Sequence, residues 1–560
     1  MPERIFIGVA WPYANGQPHL GHIAGAYLPA DIFARYHRLK GNQVLMVSGS
    51  DQHGTPITLQ AEQENVSPQQ VVDKYHASFV EAWKGLGIEF DLFTTTGTEN
   101  HKETVHSLLH SLQEKGYIYE GMMLLPYCED ENRFLPDRYV EGTCPFCKHA
   151  GARGDQCDNC GNTLDPKDLI DIRCRICGNN PVIRESKHLF MRLTAFEKPL
   201  LDWVNGQTHW RPNVLNFTRK YLEGGLRDRA ITRDISWGIP TPVAGFEGKR
   251  IYVWFEAVIG YLSASKEWAQ QQGNPELWRE FWEQDSKSYY FIGKDNIPFH
   301  SIIWPAMLMG NGNLNLPYDV PANEFLNLEG RQLSTSRNWA VWVPDYLERY
   351  SADSLRYYLT AAMPETSDSD FSWREYVRRN NDELVATYGN LIHRVLTFTY
   401  RNYESKVPDP GPLKQQDQVL LSRAKETFDK VSEHLHACHF RQGIQEVMAL
   451  AQMVNRYLDE QAPWKTIKED RLSTATTLWT ALSVIANLKT LAYPFLPFSS
   501  EKLHQMLGFP GSLKDSGWQP QPLLPGQILQ DPSPLFTKLE PTVVDEETRR
   551  LRVSSGELVS

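Results

Sequence analysis

Short apolar runs alternate with one amphipathic stretch over residues 5 to 60. Phe6 to Trp11 is continuously apolar and stops at Pro12 and Gly16, the pattern of a buried strand. Ile23 to Lys40 repeats its apolar positions with helical period, and Val44 to Val47 is apolar again before Gly49-Ser50-Asp51. This predicts a β-α-β unit that opens an α/β sheet with right-handed crossovers, extended by helices over Pro68 to Leu86 and Glu99 to Lys115. From about Gly121 to Pro181 periodicity fades among Gly, Cys, Asp and Pro, as expected of an inserted module folded around metal. Strands are predicted again at Arg250 to Val253 and Tyr289 to Gly293, each feeding a helix, so the insertion splits one sheet domain into two halves. Beyond about Asp370 strands nearly vanish. Asn380 to Tyr403, Asp417 to Cys438, Phe440 to Gln461 and Ser473 to Leu491 read as a helix bundle. A Pro- and Gly-rich stretch follows from Gly508, and the last twenty residues read as a frayed helix or tail.

With 560 residues the chain has room for roughly four domains or lobes. Its 57 Lys and Arg against 68 Asp and Glu give −11, which argues against coating nucleic acid by bulk charge, so any such contact must be local. The opening run is too short for a signal peptide, and no stretch approaches about 18 apolar residues. A soluble cytoplasmic protein with no membrane or DNA partner is expected.

Of the eight cysteines, seven lie between Cys128 and Cys177. Cys144-x2-Cys147 and Cys157-x2-Cys160 offer four thiolates in two knuckles, a set that suits one tetrahedral structural Zn²⁺ and leaves no open position for catalysis. At the first β-α junction, His19-Leu20-Gly21-His22 places two histidines at a helix start, where both can face a phosphate chain while Gly21 admits a nucleotide close to the backbone.

The run from Trp11 to His22 resembles the H-I-G-H region of class I aminoacyl-tRNA synthetases, and its W-P-Y-A-N-G-x-x-H-L-G-H wording is similar to the methionyl branch. The likeness continues through Ser50 to Pro56, Tyr252 to Tyr261 and Ile292 to His300. It implies a Rossmann-like α/β catalytic domain in two halves (1–117 and 236–325), split by a zinc-knuckle insertion (118–235). A loop and stem-contact region (326–385), an α-helical anticodon-binding domain (386–540) and a C-terminal tail (541–560) would follow. The resemblance further implies that L-methionine sits among Trp11, Tyr13, Asp51, Trp254, Ala257, Tyr261, Asn296, His300 and Trp304. ATP, with Mg²⁺, would lie against His19, Gly21, His22, Gly293 and Asp295. The side chains suit such an amino acid, since Asp51 can hold an ammonium, and Trp254, Tyr261 and Trp304 a polarizable thioether, with Tyr13 and His300 closing the pocket.

Leu328 to Trp339 aligns with the family's K-M-S-K-S loop, which presents lysines to the departing pyrophosphate. Here Gln332 and Thr335 stand at the lysine places. The loop's ATP contacts would then be Gln332, Ser334, Thr335 and Ser336, with Arg331 as a substitute cation and Arg331, Thr335, His19 and His22 carrying catalysis. A synthetase-like paralogue with impaired ligation is the alternative that this departure raises. Family members with a second zinc carry a further C-x2-C upstream, whereas this chain has Cys128-Glu129-Asp130-Glu131. Cys128, Cys174 and Cys177 would therefore need Asp130 or Glu131 to complete a site, or would leave it empty. By the same resemblance Asn390, Arg394, Pro463 and Trp464 read the anticodon of methionine tRNA. Asn390 and Arg394 share a helix face, and Trp464 can stack on an unpaired base. A monomer is expected.

Overall fold

The computed structural model describes residues 2–558 apart from 136–138, 155, 156, 158, 161, 163, 284 and 336. Five parallel strands form the central sheet: β1 (Arg4–Val9), β2 (Gln43–Ser50), β3 (Leu92–Thr95), β4 (Ser286–Gly293) and β5 (Ala322–Asn323), in the order β5-β4-β1-β2-β3. β1 shows why the sheet is buried on both faces. Ile5, Ile7 and Val9 enter one core with Phe33 and Tyr289, and Phe6 enters the other with Trp282 and Tyr290. The helix after β1 runs through Leu20–His22, a π-helical turn Ile23–Tyr27 and Leu28–Leu39.

The predicted strand Arg250 to Val253 is a correction. The strand is limited to Arg250–Ile251, it pairs antiparallel with Thr232–Arg233 outside the parallel sheet, and after the extended Tyr252 the chain enters a helical turn at Val253. An apolar run of this length fits a strand or a buried helical turn equally well, and here burial of Val253 and Phe255 served the turn. The insertion is also more regular than expected. Ile118–Cys128 and Val182–Met191 form a long antiparallel arm, registered from Ile118 opposite Met191 to Tyr127 opposite Val182. Met122, Leu124 and Ile183 are exposed on it, which erases the polar alternation that would have announced strands. The arm leads to the cysteine knuckles and a small sheet of Val140–Thr143, Ala150–Arg153 and Ile170–Cys174.

The helical half follows the sequence within two residues: Asn380–Gly389 running into Asn390–Asn402, then Gln415–His436, Phe440–Gln461 and Arg471–Ala492. The last helix of the chain is not frayed. Thr542–Ser554 is docked, with Leu551 and Glu547 buried and the Glu547 carboxylate accepting from Arg349 at 2.8 and 3.0 Å and from Tyr350 Oη at 3.0 Å. One buried ionic cluster joins the sheet half to the helical half. Asp31 accepts from Arg35 Nε (2.9 Å) and Arg356 Nη2 (2.7 Å), and the two guanidiniums reach on to Tyr493 Oη and to the carbonyls of Pro494 and Phe495. Among the described residues no helix is long and apolar enough to cross a membrane.

Candidate amino-acid and nucleotide site

β1 and β4 are neighbours from which the chain departs to opposite sides, so a crevice opens at their C-terminal ends, where ligands bind in such sheets. Trp11 and Tyr13 follow β1, Asp51 follows β2, and Asn296 and His300 follow β4. With Trp254, Ala257 and Tyr261 they line one cavity, together with Ala10, Val253, Val258 and Phe299, which the sequence did not single out. Those four lie within or beside the quoted motifs, and their apolar character gave no reason to prefer pocket over core. Trp304 does not line the cavity. It is fully buried behind it, donating from Nε1 to Tyr290 Oη at 3.0 Å, and Tyr290 in turn backs Tyr261 and His300.

Trp11 reaches the wall because Gly49 and Gly260 lack side chains. A Cβ on Gly49 would fall 2.2 Å from the indole. His300 donates from Nδ1 to the Asn296 carbonyl (2.9 Å), so its Nε2 accepts from Tyr261 Oη (2.7 Å). Burial pushes this imidazole down to about 4, and it stays neutral at physiological pH. Asp51 is the carboxylate of the lining. Its Oδ1 accepts from the His53 backbone N–H at 3.2 Å, and burial followed by the charge of Glu256 pushes its pKa well above the ordinary range. An aromatic cavity with one buried carboxyl suits a ligand that brings an ammonium and an apolar side chain.

The H-x-G-H turn presents donors. His19 is the N-cap and its Nδ1 accepts from Gly21 N, while His22 Nδ1 accepts from His19 N, both at 3.1 Å. Backbone N–H groups can only donate, so each neutral imidazole carries its proton on Nε2, free to meet an anion. The rings stack at 3.9 Å, and burial holds both below their ordinary pKa, His22 at about 4. Leu333, Thr335 and Val341 lie against this turn. A Cβ on Gly21 would meet Leu333 at 2.8 Å, one on Gly16 would meet Thr335 at 3.2 Å, and Leu20 N donates to Val341 O. Gly293 and Asp295 sit at the end of β4, with the Asp295 carboxyl raised by burial.

Gln332 is exposed on a two-residue strand with Arg331. The Arg331 guanidinium is committed elsewhere: it stacks on Trp339 at 4.6 Å and pairs with Glu557 beyond the last helix. Arg337 Nε lies on Ser334 Oγ at 3.2 Å, and Ser336 falls outside the described residues.

The four sulfurs of Cys144, Cys147, Cys157 and Cys160 all lie within 4.8 Å of one another, with Cys144 to Cys160 at 3.8 Å and Cys147 to Cys157 at 3.6 Å. Thiolates about 2.3 Å from one tetrahedral ion would be about 3.8 Å apart, so the set fits zinc. Cys128, Cys174 and Cys177 form a second such group, and Asp130 Oδ2 lies 3.8 Å from Cys177 Sγ while accepting from Asn179 Nδ2 at 2.8 Å.

In the helical half Asn390 and Arg394 line a polar concavity with His393 and Asn455. Arg394 stacks over Trp464 at 5.0 Å and donates to Asn455 Oδ1 at 3.3 Å. Trp464 is 39% exposed, whereas Pro463 is buried at the first position of the short helix that carries it.

Residues 5–396 match the family model for tRNA synthetases class I (M), and the chain belongs to the class I aminoacyl-tRNA synthetases. Residues 407–554 match the anticodon binding domain of methionyl tRNA ligase. The chain is 59% identical to a methionine–tRNA ligase of Dehalococcoides mccartyi, over 98% of this chain and all of that one, and 54% identical to one of Thermomicrobium roseum, over 99% and 100%. Methionyl-tRNA synthetase of Mycobacterium tuberculosis in complex with methionyl-adenylate has the same fold, with a TM-score of 0.80 and 26% identity over 96% of this chain and 100% of that one. Within its class the chain belongs to the methionine–tRNA ligases, and its activity is that of an aminoacyl-tRNA ligase.

Proposed function

We propose that the cavity at the ends of β1 and β4 binds L-methionine and that the adjoining H-x-G-H turn and 333–335 segment bind ATP. The observation that carries this is the convergence of Trp11, Tyr13, Asp51, Trp254, Ala257, Tyr261, Asn296 and His300, drawn from both halves of the sheet domain, on one cavity with one carboxyl. Asp51 takes the ammonium, and the aromatic wall takes the thioether. The methionine carboxylate attacks the α-phosphorus in line, the bond to the bridging oxygen breaks, and pyrophosphate leaves. The Nε2–H groups of His19 and His22 donate to the phosphate oxygens as charge develops, so the chain contributes position and fixed dipoles with no covalent intermediate. Mg²⁺ accompanies ATP and screens its phosphates. The terminal ribose hydroxyl of methionine tRNA then attacks the carbonyl of methionyl-adenylate, and AMP departs. Asn390, Arg394, His393, Asn455 and Trp464 form the surface for the unpaired anticodon bases.

The four-cysteine knuckle holds a structural Zn²⁺ in this reading. The three-cysteine group holds a second ion, and Asp130, whose Oδ2 lies 3.8 Å from Cys177 Sγ, is the carboxylate that would turn in to complete it. Metal analysis of the purified chain is expected to give about two zinc ions, falling to about one in Asp130→Ala.

Methionine-dependent exchange of labelled pyrophosphate into ATP tests the assignment. Exchange in the wild type is expected, raised by Gln332→Lys as a cation is restored to the loop. Because Arg331 pairs with Glu557 in this structure, Arg331→Ala shows whether it leaves that partner during the reaction. A loss of about a hundredfold in exchange places it on the phosphates, and an unchanged rate removes it from the chemistry.

A further inference from the structure

A buried ionic network lies behind the amino-acid cavity, and no step above uses it. Glu256 is fully buried, with both oxygens occupied: Oε1 accepts from His53 Nδ1 at 3.1 Å and Oε2 from His101 Nε2 at 2.7 Å. His101 is itself buried under Trp11 and reaches Ser263 Oγ at 2.8 Å. The His53 backbone N–H, one residue removed from Asp51 by Gln52, is the donor to the Asp51 carboxylate. The network therefore ties three separate stretches together: the turn after β2, the helix Glu99–Glu114, and the Val253–Glu256 turn whose continuation bears Ala257. A buried carboxylate is tolerated only when its lone pairs are met, and two imidazoles meet these. Burial pushes Glu256 upward, yet the charge and hydrogen bonds of His53 and His101 outweigh it and hold the carboxyl below its ordinary value.

Resting on the reading of the cavity as the methionine site, we propose that Glu256 is a positioning residue for the substrate ammonium. Through His53 it fixes the Asp51 turn against the wall that bears Trp254 and Ala257, so that the carboxylate meets the ammonium at one place. A role in the wall alone would affect every ligand of the cavity. A role in placing Asp51 affects only ligands with an ammonium.

The test titrates methionine and its des-amino analogue, 4-(methylsulfanyl)butanoic acid, against the tryptophan fluorescence of the full chain, since Trp11 and Trp254 line the cavity. Glu256→Gln keeps the shape and removes the charge; it is expected to weaken methionine by about tenfold or more and the des-amino acid by less than about twofold, with the KM for ATP in exchange unchanged within about twofold. Equal weakening of both ligands, or of neither, overturns the proposal. Should Glu256→Gln fail to fold, the His53 pair decides. His53→Asn, whose side-chain N–H takes the place of Nδ1–H, is expected to bind methionine within about threefold of wild type, and His53→Leu to lose about tenfold. Equal behaviour of these two variants overturns it as well. A wild type that neither binds methionine nor shows exchange refutes the methionine reading itself, a result distinct from these.

Discussion

At the scale of single residues, burial keeps the imidazoles of His19, His22 and His300 uncharged. His300 shows the consequence for stability. Its pKa falls from about 6.5 in the unfolded chain to about 4 in the folded one, because burial disfavours the imidazolium. Between those values the unfolded chain binds more protons, so His300 contributes stability that is present above about pH 6.5 and lost as pH falls toward 4. Urea unfolding at pH 7, 6, 5 and 4 is expected to show a steeper decline in the wild type than in His300→Gln, by about 1.4 kcal/mol per pH unit at most. Equal slopes would contradict the buried neutral ring. Which residues were legible follows from chemistry of the same kind. Asp51, His19 and His22 stand out because charged or titratable groups interrupt apolar or glycine-rich text. Glu256 lies in a motif that was read for its aromatics, and nothing in its spacing points to His53 or His101, 203 and 155 residues away.

At the scale of elements, long periods were readable and short ones were not. Phe440–Gln461 and Pro68–Leu86 stand where their periodicity puts them, because more than four turns of repeated apolar positions leave one solution. The two-residue strand at Arg250–Ile251 and the two-faced arm of the insertion lack such redundancy. The cluster at Asp31 marks another limit. Asp31 and Arg35 are four apart on one helix, a spacing that by itself says nothing of burial, and the third member, Arg356, is 325 residues on, while all three are buried. Asp31→Asn would leave the buried Arg356 guanidinium without its carboxylate, and Arg35 with only the more exposed Glu89 at 3.1 Å, where charge removal from a buried pair costs about 3 to 5 kcal/mol. A loss of unfolding free energy of that size is expected in urea. A shift under about 1 kcal/mol would mean that the carbonyls of Pro494 and Phe495, with Leu86, hold Arg356 unaided.

At the scale of the whole molecule, the proposed site of both chemical steps and the proposed anticodon surface lie on different halves of the chain. The amino-acid cavity and the H-x-G-H turn lie on the sheet, whereas Arg394 and Trp464 lie on the helical half, so substitutions at the latter are expected to spare activation and reduce transfer. Trp464 is the sharper probe. Its side chain is 39% exposed and the Arg394 guanidinium stacks over the ring, so one face of the indole is already met by a planar cation. Stacking on one unpaired base contributes about 1 to 3 kcal/mol, and Trp464→Ala is expected to lower kcat/KM for tRNA by about 5- to 150-fold. Methionine-dependent exchange should stay at the wild-type value. A loss of exchange in this variant would mean that the anticodon surface and the catalytic sheet are coupled without tRNA. The Asp31 cluster, which joins the sheet to Pro494 and Phe495 in the helical half, would then be the physical connection to test, through Asp31→Asn combined with Trp464→Ala.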